Sequence, residues 1–198
     1  LFRSAKLEQQ AAALEAAGAP TAPLTALVRK VKSGDPENIE AQGAQRYWRL
    51  LFGDAFRRDQ DGGGVNGLLN YGYTVLRSAT ARAVIAAGLH PGIGLHHSND
   101  NNAMRLVDDL IEPFRPVIDL KVWQLWRNGE QIVTPEAKRA LVRTLYDDMQ
   151  SDIGATPVMV CMQKLATSIA QVYLGQRDKP DLPLPGLPLA LAQDLRDE

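Results

Sequence analysis

The sequence predicts an all-α fold. Through most of the chain the apolar residues recur at spacings of three and four, which is the period of an α-helix. No stretch has the clear alternation of apolar and polar residues that is typical of a half-buried strand, and no segment is repeated. With 198 residues, of which 45% are hydrophobic, the chain is long enough to bury a core of its own. We therefore expect one helical domain over residues 1–190 and a tail over residues 191–198.

Breaks in the helical pattern, mostly at glycine and proline, delimit the individual helices. Gly18 and Pro20 end the first of them, and Thr134 with Pro135 begins a later one as an N-cap and a first-turn proline. The triple glycine at residues 62–64 is not followed by a GK[ST] motif, so it is interpreted as a flexible loop. The predicted helices cover residues 2–17, 24–32, 38–56, 65–87, 103–115, 117–129, 134–150 and 157–174.

Composition excludes several classes of protein. The 22 basic and 23 acidic residues give a net charge of −1, so overall charge does not favour nucleic-acid binding and any such surface must be local. The single Cys161 excludes an internal disulfide and a cysteine-based zinc site, and its apolar neighbours predict a buried core thiol.

No run of about 18 apolar residues predicts a membrane span, and no signal peptide is recognisable. These features favour a cytoplasmic protein. The chain begins with Leu1 rather than methionine, as a piece of a longer protein would.

Side chains that can carry chemistry are concentrated between Gly88 and Pro116. This stretch contains all three histidines of the chain, and three acidic residues follow them: His90, His96, His97, Asp108, Asp109 and Glu112. On a helix Asp109 and Glu112 share a face, close enough to hold one ion between them. Imidazole and carboxylate groups are ligands of divalent cations, and a carboxylate-rich set favours Mg²⁺ or Mn²⁺ and suits phosphodiester chemistry.

The same acidic residues allow a simpler interpretation. Polar residues recur at helical spacing between Ala103 and Arg115, so they can equally be the solvated face of an amphipathic helix. The proline at position 113 slightly disfavours this alternative, because proline disrupts a helix one turn back.

Glu40 is the one charged residue on an otherwise apolar helical stripe. The stripe continues through Ala44, Tyr47 and Leu51. A carboxylate on a buried face must be paired, hydrogen-bonded or bound to a cation. The sequence leaves open whether Glu40 binds a cation or lies at the rim and pairs with an arginine. The basic residues Arg46, Arg49, Arg77 and Arg82 are likewise either a phosphate-binding groove or ordinary solvated side chains.

Four motifs in a fixed order resemble those of a known family. They are E-A-x-x-A-x-x-Y-W from Glu40, N-x-x-L-N-Y-G-Y at residues 66–73, G-L-x-P-x-x-G-x-x-H ending at His97, and D-L-x-E-P-F-R-P from Asp109. Together they resemble the CRISPR-associated integrase family Cas1, in the form found with single-effector (type II) systems. Within the second motif, Tyr73 lies on the apolar stripe of its helix and is expected to be a packing residue.

The resemblance implies a metal-dependent DNA endonuclease and integrase of prokaryotic adaptive immunity, which inserts captured DNA fragments into a CRISPR array. It implies that Glu40, His97 and Glu112 hold Mg²⁺ or Mn²⁺ and are the catalytic residues, with Asp109 and Arg115 in supporting roles. His96 stands at a position that is often apolar in the family. The implied partners are double-stranded or branched DNA, a second copy of the chain, and the small Cas2 subunit. The β-rich N-terminal domain of the family has no counterpart in this chain, which leaves its helical catalytic domain.

Two other functions are considered. A non-catalytic helical scaffold that binds DNA or a partner would show no saturable Mn²⁺ binding that is lost in Glu112→Ala. An unrelated metal-dependent phosphohydrolase would turn over small phosphoesters and be indifferent to DNA structure.

Overall fold

The fold, seen in a computed structural model, is predominantly helical, as the sequence predicts. The structure describes residues 2–31, 37–95 and 101–186. The described residues form eight α-helices: α1 (Phe2–Ala16), α2 (Ala22–Val28), α3 (Ile39–Phe52), α4 (Val65–Ala86), α5 (Arg105–Ile111), α6 (Arg115–Arg127), α7 (Pro135–Arg143) and α8 (Val158–Tyr173). Single 3₁₀ turns, Glu112–Phe114 and Thr144–Tyr146, follow α5 and α7. No described helix is long and apolar enough to cross a bilayer.

The long helix α4 is the centre of the molecule. It packs against α5, α6, α7 and α8, and its buried face includes Leu68, Leu69 and Leu76. The helix α1 lies to one side, against α2, α3, α6 and the 3₁₀ turn Glu112–Phe114. This packing brings the start of the chain next to the first and fourth sequence motifs.

The closest approach of α4 and α6 depends on a glycine. A Cβ atom added to Gly72 would lie far inside van der Waals distance of Ile118 Cγ2. Only a residue without a side chain therefore allows α4 and α6 to pack at this separation. The neighbouring Tyr73 is thereby held against α6.

A short hairpin corrects the prediction that the chain contains no strand. Strand β1 (Asp148–Ser151) pairs antiparallel with β2 (Gly154–Pro157), where the sequence predicted helix up to residue 150. The helix α7 ends instead at Arg143. Gly154 has φ +100°, a conformation that favours glycine, and Ser151 Oγ accepts from the backbone N–H of Ile153 at 3.2 Å, which together close the turn. Four-residue strands are too short to give a readable alternation.

Several smaller predictions are confirmed. Thr134 caps α7 by accepting from the backbone N–H of Ala137 at 3.1 Å. Cys161 is buried and its thiol donates to the Thr156 carbonyl oxygen, as expected of a core thiol.

After α8 the chain runs back to α1, where the Gln9 side chain donates to the Leu184 carbonyl oxygen at 2.6 Å.

Candidate functional site

Two of the predicted site residues, Glu40 and Glu112, converge on one ammonium group. Lys6 Nζ lies 2.8 Å from Glu40 Oε1 and 2.6 Å from Glu112 Oε2. Lys6 comes from α1, Glu40 from the first turn of α3, and Glu112 from the 3₁₀ turn after α5. Two carboxylates that are 72 positions apart in the numbering therefore point at a common charge. The sequence analysis did not identify Lys6.

Two arginines flank this pair of carboxylates. Arg3 Nε donates to Glu40 Oε2 at 3.1 Å, and Arg115 Nη1 forms an ion pair with Glu112 Oε1 at 3.1 Å. Glu40 is half-buried and pairs with Arg3 as well as with Lys6, which agrees with the arginine-paired alternative from the sequence. Binding of a metal ion by Glu40 stays a prediction. Arg115, for which the resemblance implies a supporting role, is thus in contact with Glu112.

The charges at this cluster stabilise one another. Burial raises the pKa of the Glu40 carboxyl, but Lys6 and Arg3 outweigh that effect and hold the pKa below its usual range. Burial lowers the pKa of the Lys6 ammonium, but Glu112 and Glu40 outweigh it and the net pKa is raised. Both partners are therefore charged at neutral pH.

Asp109 has a partner of its own. Its side chain is 2% exposed, and Oδ2 accepts from the backbone N–H of Leu95 at 2.6 Å. It therefore fixes the end of the segment that leads to His96 and His97. Glu112 contacts Lys6 and Arg115.

The predicted histidine ligand cannot be compared with the structure. His96 and His97 lie outside the described residues. His90, which was not assigned a role, accepts from the Gly92 backbone N–H through Nδ1 at 3.1 Å and so stabilises a turn. Asp108 pairs with Arg77 at the surface, at 2.7 Å, as a residue on the solvated face would.

A buried hydrogen-bond network that the sequence analysis missed connects α3, α4 and α6. Asp119 is 1% exposed, and it accepts from the Tyr47 hydroxyl at 2.9 Å and from the Tyr73 hydroxyl. Burial raises the pKa of Asp119 to about 7, although the two tyrosines and Arg115 lower it. The sequence does contain a feature that could have identified Asp119, because it is an acidic residue among apolar ones. The same argument identified Glu40.

Tyr73 is more than a packing residue. Two guanidinium groups contact its ring, with Arg58 Cζ 5.3 Å and Arg115 Cζ 5.0 Å from the ring centroid. Arg58 is itself oriented by Asn70, whose Oδ1 accepts from Nη2 at 2.6 Å. The second motif therefore supplies residues that contact both Arg58 and Arg115, and Arg115 in turn contacts Glu112.

A polar cleft of about 570 Å³ opens next to these groups. Its lining includes the cationic and amide side chains of Lys6, Gln10, Arg58, Asn70, Arg77 and Arg115, and the carboxylates of Asp108 and Asp119. Gln10 is 3% exposed, yet its Oε1 accepts no hydrogen bond from any residue that the structure describes. The sequence analysis considered four arginines as the lining of a phosphate-binding groove. Arg77 lines this cleft, whereas Arg46, Arg49 and Arg82 are exposed and do not line it.

The residues present fit a divalent cation. Within residues 2–31, 37–95 and 101–186, no group of three or more His, Cys, Asp or Glu side chains is close enough to hold a metal ion. However, Glu40 and Glu112 already direct carboxylate oxygens at one positive charge, and hard oxygen donors of this kind suit Mg²⁺ or Mn²⁺. His97 is the predicted third ligand.

Comparison with known proteins finds relatives among the CRISPR-associated endonucleases named Cas1. The family profile described as "CRISPR associated protein Cas1" matches residues 4–136. The CRISPR-associated endonuclease Cas1 of Neisseria meningitidis serogroup C is 37% identical over 164 residues, which cover 82% of this chain and 53% of that protein. One of Pyrobaculum aerophilum is 28% identical over 154 residues, covering 75% and 52%. The chain thus spans about half the length of these curated relatives.

Solved structures share the fold. A casposase bound to integration product superposes with a TM-score of 0.77 at 22% identity, covering 93% of this chain and 62% of that one. A Cas1 protein from Thermotoga maritima gives a TM-score of 0.74 at 16% identity, covering 89% and 64%. A Cas6-RT-Cas1–Cas2 complex gives 0.65 at 17% identity, covering 93% and 25%.

Proposed function

This chain belongs to the CRISPR-associated Cas1 family, and we propose that it is the catalytic part of an integrase that joins captured DNA fragments to a CRISPR array by phosphodiester strand transfer. The proposed site holds Mg²⁺ or Mn²⁺ through Glu40, His97 and Glu112. The observation that carries the proposal is the convergence of Glu40 and Glu112 on the Lys6 ammonium, at the edge of a cleft lined by arginines.

The side chains that line the cleft favour DNA as the class of substrate. Arg58, Arg77 and Arg115 line it, and guanidinium groups bind phosphate oxygens through several N–H donors at once. These arginines and Lys6 outnumber the carboxylates of the lining, which belong to Asp108 and Asp119. The cleft therefore has a local excess of positive charge that favours a DNA backbone, although the net charge of the whole chain is −1.

Each residue has a defined task in the proposed reaction. Glu40, His97 and Glu112 hold the cation, and Asp109 fixes the backbone at Leu95, two residues before His97. Arg115 orients Glu112 from one side. The cation, when bound, polarises the phosphodiester and stabilises charge on the attacking and leaving oxygens. The chain therefore needs to supply position and charge rather than a covalent intermediate.

The experiment that tests this function measures Mn²⁺-dependent strand transfer on branched, array-like DNA in the full-length protein. Glu112→Gln, Glu40→Gln and His97→Ala should each reduce the rate by about 10²-fold or more, since each removes a ligand of the cation. Glu136→Gln is the matched control, because Glu136 also pairs with an arginine three residues away but lies exposed on α7. Undiminished transfer by His97→Ala would reject the assigned site.

One observation favours the scaffold as a second candidate. Lys6, Arg3 and Arg115 already neutralise the two carboxylates, as a purely structural cluster of ion pairs would. A scaffold of this kind would bind DNA in the arginine-lined cleft without a metal. Saturable Mn²⁺ binding that is lost in Glu112→Ala separates the two, because a scaffold has no such binding.

The proposed partners and setting follow the same reasoning. A fold neighbour is described as bound to integration product, and another as a complex that includes Cas2, which supports DNA and Cas2 as partners of this chain. A homodimer and the type II association are proposed from the sequence motifs, and a cytoplasmic location is proposed from the composition.

A further inference from the structure

Lys6 stands where it competes with a metal ion for the same oxygens. Its ammonium contacts Oε1 of Glu40 and Oε2 of Glu112, at 2.8 Å and 2.6 Å. Mg²⁺ in proteins binds its oxygen ligands at about 2.0–2.1 Å and demands a nearly octahedral shell. An ammonium held between two ligand carboxylates occupies part of that shell and repels the incoming dication. With these side-chain positions, the two carboxylates can therefore bind either the Lys6 ammonium or the divalent cation, but not both at once.

The cleft provides a second position for the Lys6 ammonium, away from the two carboxylates. Lys6 contacts the acidic pair and also lines the cleft, together with Arg58, Arg77 and Arg115. A phosphate group bound among these arginines would present oxygens that accept hydrogen bonds from an ammonium. Gln10, one helical turn after Lys6 on α1, also lines the cleft, and its buried Oε1 has no hydrogen-bond donor among the described residues. Both groups are acceptors that a displaced ammonium can reach by rotating its flexible side chain.

We infer that Lys6 is an internal counter-ion that couples cation binding to DNA binding: a DNA phosphate in the cleft draws its ammonium away from Glu40 and Glu112, which then take the divalent cation. This inference rests on the proposed function. Without DNA, the ammonium keeps the two carboxylates paired and the affinity for the cation is low. With DNA the same carboxylates become available, so the cation is held firmly only where a substrate is present.

Coupling of this kind is measurable as a difference in affinity. Mn²⁺ is titrated into the full-length protein, with and without a branched DNA that ends in a 3′-dideoxy nucleotide and so cannot be joined. DNA should tighten Mn²⁺ binding by about tenfold or more in the wild type. By reciprocity Mn²⁺ should tighten DNA binding by the same factor. The Glu112→Gln protein with the same DNA gives the blank for Mn²⁺ bound by DNA itself.

Lys6→Met is the decisive variant, since it keeps much of the side-chain length and removes the charge. It should bind Mn²⁺ about tenfold more tightly than the wild type in the absence of DNA, and DNA should change that affinity little. Lys164→Met is the matched control, because Lys164 also pairs with a carboxylate, that of Asp152, at a site far along the chain. It should leave Mn²⁺ affinity and its DNA dependence as in the wild type.

Lys6→Arg keeps the charge and covers the case in which Lys6→Met fails to fold. It should retain weak Mn²⁺ binding without DNA and tightening with DNA. Equal Mn²⁺ affinity of the wild type and Lys6→Met without DNA, or a wild-type affinity that DNA does not change, would overturn the inference while leaving the metal site intact. Absence of any Mn²⁺ binding that depends on Glu112 would instead overturn the proposed function and the inference with it.

Discussion

Tyr47 donates a hydrogen bond of 2.9 Å to Asp119 in the core and so joins α3 to α6. The helix α3 begins next to Glu40, and α6 begins at Arg115, which pairs with Glu112. Tyr47 lies two turns after Glu40, and Asp119 lies one turn after Arg115. This buried contact therefore sets the separation of the two elements that carry the acidic pair.

Tyr47→Phe should destabilise the protein by about 1.5–3 kcal/mol, because it removes a buried hydrogen bond to an ionisable group and adds nothing in its place. Urea denaturation followed by tryptophan fluorescence measures this loss. A double-mutant cycle with Asp119→Asn isolates the contact, and a coupling energy near zero would mean that Tyr47 and Asp119 do not interact in solution.

Asp119 should make the free energy of unfolding depend on pH. Burial raises its pKa to about 7, from 3.8 as the ordinary value, so between these pH values the folded protein holds the proton more tightly than the unfolded chain. The free energy of unfolding of the wild type, relative to that of Asp119→Asn, should therefore be highest below about pH 4 and fall as pH rises to about 7. Above about pH 8 the difference should be constant. A difference that does not vary with pH across this range would contradict the assignment.

Gly72→Ala tests the close packing of α4 on α6. The added methyl group would overlap Ile118 Cγ2, so we expect a loss of about 1–3 kcal/mol in the free energy of unfolding. Gly67→Ala in the same helix is the control, since its Cβ would meet Val133 Cγ2 at 3.5 Å, an ordinary contact. Combining Gly72→Ala with Ile118→Ala should cost less than the sum of the two single changes, and strict additivity would argue against the overlap.

Asp109→Ala should release the backbone at Leu95. The Leu95 amide donates to Asp109 at 2.6 Å, and without this acceptor it should exchange with solvent at least about tenfold faster in hydrogen exchange measured by NMR. Asp108→Ala is the comparison, because Asp108 contacts Arg77 at the surface instead. An unchanged exchange rate in Asp109→Ala would remove the supporting role assigned to this residue.

The sequence predicted the helices and the need for a partner at Glu40, because both follow from periodicity within one segment. It did not identify Lys6, since that contact joins residues 34 positions apart in the numbering and depends on how α1 packs. The hairpin at residues 148–157 was missed because its strands have four residues each.

Asp119 was missed for a different reason. Its apolar neighbours marked it as a buried acid, but only the packing of α3 and α4 on α6 shows that two tyrosines supply its hydrogen bonds. The role of His97 remains a prediction from the motif, since the structure does not describe that residue.

The most direct measurement of the central claim is anomalous diffraction from crystals of the full-length protein, grown with DNA and soaked in Mn²⁺. The account predicts an anomalous peak within coordination distance of carboxylate oxygens of both Glu40 and Glu112, and of a ring nitrogen of His97. A peak bound to other residues, or Glu40 and Glu112 still paired with Lys6 while DNA fills the cleft, would contradict it.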